Sequence, residues 1–358
     1  MPLPPPLTDA QREVVDARPG PLRVLGGFGC GTSFALRARR DALVAAGRTA
    51  LLVSVDRLVE LAMELVPSAR RRVMTTDEQR NLVARLTDHE DPADVDELAR
   101  TVVLYQASWL GAEELFTHAD AAGELEVWTD LVRFTDGYLA ELRRVGVHDR
   151  ASALVDATIA LRDPGVLAQA RRAFDDLLVD DFQNADFAAN RFVTQLCGRN
   201  GSLTVGGNIG AAVGSEWRRT PKYLETFVRR FDAADVVLDE VLRPRAPLQV
   251  RSAAPASHGA HVISRTTVDS EVGREWPVVV IEDAVDGVWP SPRPRHRRFD
   301  PHLLSGPDVP DDDEREARWL AEERRRFDIA STRATQATIV VEPSPPEELS
   351  PFVAELDA

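Results

Sequence analysis

The sequence predicts an α/β protein built on parallel sheets, and three observations carry that reading. Short apolar runs recur at residues 22–25, 50–53, 177–179, 203–205, 278–281 and 338–341, with helical patterns between them. A parallel pair of strands needs a crossover, and a helix normally supplies it, so this alternation points to parallel sheets. A glycine-rich loop, residues 26–33, joins the first apolar run to a helical stretch at 34–44. Finally, residues 75–172 carry helix signals and no strand signal between two strand-bearing pieces, which reads as a helical insertion.

Taken in order, residues 1–65 read as helix, strand, loop, helix, strand. Thr75 with Glu78 three residues later is a capping-box start. Leu131, Phe134, Tyr138 and Leu142 recur at helical spacing. The Asp-Pro pairs at 91–92 and 163–164 are loop breakers. After the runs at 177–179 and 203–205, residues 236–238 offer a further strand. The stretch 244–262, rich in Pro, Ser, Ala and Gly, reads as loop, and 291–312 reads as irregular. Residues 314–335 are charged and helical.

The chain has 358 residues, enough for two domains with a large core. Its net charge of -15 argues against broad nonspecific nucleic-acid binding, which rests on counterions released by a basic surface. The arginines at 37–40, 70–72 and 293–298 read as solvated helix faces and a loop, with a local basic groove as the alternative. Of 43 basic residues only Lys222 is lysine. Cys30 and Cys197 form no disulfide framework, and His148, His258, His261 and His296 show no metal spacing and read as surface or loop residues. No apolar run reaches membrane-spanning length and the N-terminus lacks signal-peptide regions, so a soluble, cytoplasmic protein with no membrane partner is expected.

Gly26-Gly27-Phe28-Gly29-Cys30-Gly31-Thr32-Ser33 has the spacing of the phosphate-binding loop G-x-x-x-x-G-K-[S/T], in the strand–loop–helix setting where that loop works. Gly26, Gly29 and Gly31 let backbone N–H groups curl round a polyphosphate, and Ser33 supplies a hydroxyl for Mg²⁺. Thr32 stands where the lysine belongs. Further on, an apolar strand ends in Asp180-Asp181. In phosphate-loop enzymes the first acid holds Mg²⁺ and the next polarises the attacking water. Taken alone, that acidic pair equally describes a solvated turn.

With these motifs in order, the chain resembles the UvrD/Rep group of superfamily-1 DNA helicases. Leu7-Thr8-Asp9-Ala10-Gln11-Arg12 is similar to the family's adenine-reading glutamine motif. Asp180-Asp181-Phe182-Gln183 stands for Asp-Glu-Phe-Gln, and Arg243 for the arginine of Asn-Tyr-Arg. Thr267, Ser270 and the run from Gly273 through Glu275 and Trp276 are similar to Thr-x-His-Ser-x-Lys-Gly-Leu-Glu-[Phe/Trp], and Gly287-Val288-Trp289-Pro290 continues the match. Residues 322–334 resemble the last motif, whose arginine, here Arg333, contacts the γ-phosphate. The Glu-Trp and Gly-Val-Trp-Pro spellings are most similar to actinobacterial AdnA/AdnB-type helicase–nuclease subunits. The resemblance implies a P-loop NTPase with two RecA-like lobes: the first at 1–74 and 173–235, split by the helical insertion at 75–172, and an abbreviated second at 236–358. It implies a site for ATP and Mg²⁺, weak or vestigial, in which Gln11, Gly26, Gly29, Gly31, Thr32, Ser33 and Glu275 hold nucleotide. Ser33 and Asp180 would hold the metal, and Asp181, Arg243 and Arg333 would be the catalytic residues.

The departures from the family matter as much. Thr32 replaces the lysine. Asp181 replaces a glutamate and pulls the carboxylate back by ~1.3 Å, a misplacement that can cost ~100-fold. Gly206-Gly207-Asn208-Ile209-Gly210 lacks the Asp and Gln of the coupling motif, and Val213 stands for a base-stacking aromatic. Ser54-Val55-Asp56-Arg57-Leu58 has lost another aromatic, and Asp269 and Val272 replace a His and a Lys. Only 23 residues lie between Arg243 and Thr267, where the family places a whole helical subdomain. Stacking is worth about 1–3 kcal/mol per base, and charge stabilisation is often the largest catalytic contribution, so both DNA and ATP functions are weakened. The expected protein is an ATPase-deficient pseudohelicase acting as an accessory protein in DNA repair or recombination. It would dock through its second lobe on a protein partner, a related full-length helicase, and meet DNA weakly or through that partner. The alternatives are a weak ATP-dependent 3′–5′ translocase or helicase, and a decaying gene product.

Overall fold

Thr8 starts the first helix: its hydroxyl accepts the Gln11 N–H, and the Gln11 side chain returns to the Thr8 N–H at the head of α1 (Asp9–Asp16). The computed structural model describes residues 6–87, 91–199, 201–214, 220–251, 260–264, 266–268, 274–293, 298–307, 310–342 and 348–356. After α1 come β1 (Leu22–Gly26), α2 (Thr32–Ala45), β2 (Ala50–Ser54), α3 (Leu58–Leu65) and a two-residue strand β3 (Arg72–Val73). Helices then dominate: α4 (Thr76–Leu86), α5 (Pro92–Ser108), α6 (Ala112–Ala121), α7 (Leu125–Val145), a short β4 (Val147–His148), α8 (Arg150–Ala160) and α9 (Pro164–Arg171). The chain returns to the sheet with β5 (Asp176–Asp180), α10 (Phe187–Cys197), β6 (Leu203–Gly207), α11 (Lys222–Glu225), α12 (Phe227–Phe231) and β7 (Ala234–Leu238).

Among the described residues β2, β5, β6, β1 and β7 form one parallel sheet in that order. The apolar runs at 22–25, 50–53, 177–179, 203–205 and 236–238 all lie in it. β5 is apolar on both faces, as a strand covered by helices on both sides must be. Arg39 of α2 is fully buried and ties this layer together. Its guanidinium donates to the carbonyls of Val14, Ala17 and Arg18, which end α1, while Nε donates to Thr204 on β6. Burial lowers its pKa.

The second sheet is also parallel, in the order β8 (Leu248–Arg251), β11 (Ala334–Val341), β10 (Trp276–Ile281) and β9 (Ala260–Ile263). The long helix α13 (Asp312–Ser331) leads into β11, and α14 (Pro351–Leu356) follows it. The stretch 244–262, read as loop, therefore carries two strands. Each is four residues long and sits at a sheet edge, so its hydrogen bonds come from β11 and β10, more than fifteen residues away in sequence, and not from a local pattern.

The helical stretch 76–171 divides between two cores. Ala153, Leu154, Ala157 and Leu161 share a core with Leu177 and Val179 of the first sheet. Helices α4 to α7 enclose a separate core around Trp128, Leu131 and Tyr138, as the helical spacing predicts. That core is completed from far along the chain. Phe299, Leu303 and Leu304, in the stretch read as irregular, pack into it, with a short 3-10 turn at Pro301–Leu304. The Phe299 ring meets Trp128 edge-on at 5.7 Å, His118 Nδ1 contacts the Leu303 carbonyl at 2.9 Å, and Glu97 accepts the N–H groups of Arg298 and Phe299.

His148, expected at the surface, is buried. The parallel β3–β4 pair carries it inward, where one ring nitrogen contacts the Ala69 carbonyl at 2.9 Å and the other the Ser152 hydroxyl. His261 stacks on Trp276 at 3.8 Å; His258 and His296 lie outside the described residues. None of the described helices is long and apolar enough to cross a membrane.

Candidate functional site

In a parallel sheet the carboxyl ends of neighbouring strands share one edge, and open α/β sheets bind ligands at that edge. Here β1 runs into the glycine loop, its neighbour β6 ends in Gly206-Gly207, and the next strand, β5, ends at Asp180. The second sheet contributes the opposite ends of its strands, because Glu275 immediately precedes β10 and Arg333 immediately precedes β11.

The loop depends on glycine at Gly29 and Gly31, both with φ of +79°. Gly31 is the N-cap of the fourteen-residue α2, so the first amides of that helix face the loop, as an anion site requires. Thr32 does not reach outward. A Cβ on Gly26 would lie 2.5 Å from its hydroxyl and one on Gly206 3.2 Å from its methyl, so Thr32 is packed between the ends of β1 and β6.

The Ser33 hydroxyl lies near the Asp180 carboxylate and favours its charged form. These two oxygen donors suit a hard cation such as Mg²⁺, whose other ligands would be phosphate and water. Among the described residues no group of three or more His, Cys, Asp or Glu could hold a metal by itself. Burial raises the pKa of Asp180, against the bond it accepts from the Asp181 N–H, the nearby Ser33 hydroxyl and the charge of Arg37. Asp181 has left-handed backbone, φ +57°, and is pushed up to about 6, first by burial and then by the Asp180 charge. Gln183 donates to Asp181 at 3.3 Å and accepts the Asn208 N–H at 3.2 Å, linking the acids to the end of β6. A Cβ on Gly207 would lie 2.1 Å from the Gln183 oxygen, so that contact requires glycine there.

Arg243, Glu275 and Arg333 converge on the same place. Arg243 pairs with Glu275 at 3.1 Å and donates to the carbonyls of Thr332 and Ala334. Arg333 is buried and donates to the carbonyls of Ile329 and Arg274 and to the Thr332 hydroxyl. Its pKa is lowered by burial and by Arg243, and partly restored by Glu275 and Asp181. The backbone of this segment closes on the loop itself: the Gly29 carbonyl accepts the N–H groups of Leu242 and Arg243, and Phe28 packs against the core of the second sheet.

Gly29→Ala should therefore cost more than backbone strain. Its Cβ would sit 2.1 Å from the Arg243 carbonyl, whereas Gly47, with φ of +81°, has open space around it. We expect Gly47→Ala to cost about 1–2 kcal/mol from the left-handed conformation alone, and Gly29→Ala clearly more, measured as the shift in urea midpoint.

Several expectations need revision. Gln11 is fully buried behind the loop: its oxygen closes the α1 cap, and its amide nitrogen donates to the Cys30 carbonyl at 3.2 Å. It does not face outward as an adenine reader would. Val213 is buried in the second core, with its N–H on Asn184, and offers no platform for a base. Among the described residues of the three arginine runs, Arg39 is interior and Arg40, Arg71, Arg72, Arg293 and Arg298 pair with acids, which fits the solvated-face reading better than a basic groove; Arg295 and Arg297 lie outside the described residues. Asp269, Ser270, Val272 and Gly273 lie outside the described residues. Two contributors were not anticipated. Arg37 lies one turn after Ser33 on α2, a spacing that could have revealed it. Asp56, from the 3-10 turn Val55–Arg57, raises Asp181 through space; the sequence showed it only as an acid gained in the motif at 54–58.

The chain was compared with known proteins: no protein-family model matches it, and no curated protein matches it.

Proposed function

We propose that the chain is a pseudohelicase of the UvrD/Rep type, with two RecA-like lobes, that retains a vestigial ATP·Mg²⁺ site and acts as an accessory protein in DNA repair or recombination. One observation carries the reading: the two arginines that the resemblance places at the site, Arg243 and Arg333, are already engaged. Arg243 and Arg333 donate to carbonyls of their own sheet, and Arg243 also pairs with Glu275. A guanidinium so held would have to break these bonds to reach a phosphate. The buried Gln11 and the inward-packed Thr32 support the same conclusion. A protein that keeps this frame without its charges works by binding, to a protein partner and only weakly to DNA.

A weak ATP-dependent 3′–5′ translocase is the second reading. It is favoured by the Ser33–Asp180 contact and by Asp181, whose carboxyl at about 6 lies near the range useful to a general base.

ATP hydrolysis, measured with and without single-stranded DNA, separates the two. We expect weak binding of ATP·Mg²⁺, negligible turnover and no unwinding of a 3′-tailed duplex. Thr32→Lys should tighten nucleotide binding without restoring fast turnover, because Asp181 and the altered coupling motif remain. A wild-type rate of about 1 s⁻¹ or more, ordinary for an enzyme, would overturn the pseudohelicase reading.

A further inference from the structure

Away from the glycine loop, aromatic and cationic side chains alternate across α5, the α8–α9 turn, α10, α11 and α12. The guanidiniums of Arg191 and Arg162 lie 4.5 Å and 5.4 Å from the centre of the Trp109 ring. Arg191 also lies 5.9 Å from the Phe187 ring, Phe187 meets Tyr223 at 6.4 Å, and Arg230 lies 5.8 Å from Tyr223. Lys222, the one lysine of the chain, is exposed beside Tyr223. Among the described residues none of Arg162, Arg191, Lys222 and Arg230 pairs with a carboxylate, in a chain of net charge -15. Phe187, Lys222 and Tyr223 also line a cavity of about 970 Å³, whose lining includes the acids Asp186 and Glu322 as well as Arg318 and Arg325.

We propose that this strip docks an acidic segment of a protein partner, an extended peptide presenting carboxylates. The inference rests on the reading that the chain works by binding a partner, and it names that partner's chemistry. An arginine stacked on an aromatic ring keeps its N–H edge free, and that edge matches a carboxylate with two parallel hydrogen bonds. Stacking also holds the side chain in place beforehand, which reduces the entropy lost on binding. A nucleic-acid strand suits the strip less well. The Trp109 ring is already covered by two guanidiniums and so offers a base no open face to stack on. Carboxylates interleaved with apolar residues match both the cations and the half-buried rings of Phe187 and Tyr223.

The test uses the full chain and fluorescence anisotropy, with a labelled peptide of alternating Glu and Leu, its Gln-for-Glu counterpart, and an oligothymidine of similar length. The Glu peptide should bind at least about tenfold more tightly than the Gln peptide, and less tightly as salt rises. The paired Arg162→Glu and Arg191→Glu chain should lose that preference, and Arg162→Gln with Arg191→Gln should lose most of it. Circular dichroism verifies that each variant is folded, and Lys222→Glu provides an independent exposed change if the charge-reversed pair is not. Equal binding of both peptides, unchanged binding by the folded variants, or tighter binding of oligothymidine through the same arginines would overturn the proposal. ATP turnover reports separately on the pseudohelicase reading, because the strip holds none of the glycine-loop residues.

Discussion

Arg39→Met is expected to be among the most destabilising single changes in this chain, costing about 3–5 kcal/mol. The side chain is fully buried, and its guanidinium serves the carbonyls of Val14, Ala17 and Arg18 together with the Thr204 hydroxyl. Methionine fills much of the volume, so the loss reflects polar groups left without donors more than an empty space. Each such buried group costs about 1–3 kcal/mol. Arg39 also lies close enough to Asp176 to feel its charge, and Asp176 is buried and paired with Arg48. Arg39→Lys should recover little, because an ammonium cannot span carbonyls and hydroxyl as the planar fork does. Urea unfolding of the three chains provides the measurement, and a loss below about 1 kcal/mol for Arg39→Met would show that water replaces the clamp.

Asp181→Asn should act in the opposite direction and stabilise the fold at neutral pH. A rise in the carboxyl pKa from its ordinary 3.8 to about 6 means that the folded state holds the proton more tightly than the unfolded chain. The stability contributed by that proton is fully present below pH 3.8 and is lost as pH rises through about 6. Above that point the ionised, half-buried carboxylate, repelled by Asp180, costs on the order of 1–3 kcal/mol. Asparagine removes the charge and tolerates the left-handed backbone at this position. The variant should therefore gain up to about 3 kcal/mol near pH 8 and match the wild type near pH 4. Stability curves for both chains across that range give the answer. A parallel offset at every pH would mean that Asp181 does not titrate in this window.

The parts of this molecule that could be read from sequence are those whose cause is local. Runs of Leu and Val marked the strands of the first sheet and β10 and β11; β5 and β6 are the clearest case, since a strand buried on both faces is apolar along its length. Thr75 and Glu78 marked the start of α4, because a cap is made within four residues. β8 and β9 escaped because their partners, not their composition, make them strands. At the site, the glycine loop, Asp180 and Asp181 were legible as motifs. Arg243, Glu275 and Arg333 were found only through the order of motifs along the chain. Burial of Gln11 and the inward packing of Thr32 were not legible, since both depend on the closeness of strand ends and backbone rather than on residue type. The Trp109 stack was equally hidden, joining Arg162 and Arg191 from two other parts of the chain.

The packing of Phe299, Leu303 and Leu304 around Trp128 bears on how the protein is made. A chain emerging from the ribosome offers helices α4 to α7 long before residue 299 exists outside the exit tunnel. Until it does, one side of the bundle around Trp128, buried in the finished fold, stays wet. At about 5–20 residues per second, the bundle waits many seconds for its last apolar side chains. This segment therefore cannot complete its core during its own synthesis and closes only after residue 304 has emerged.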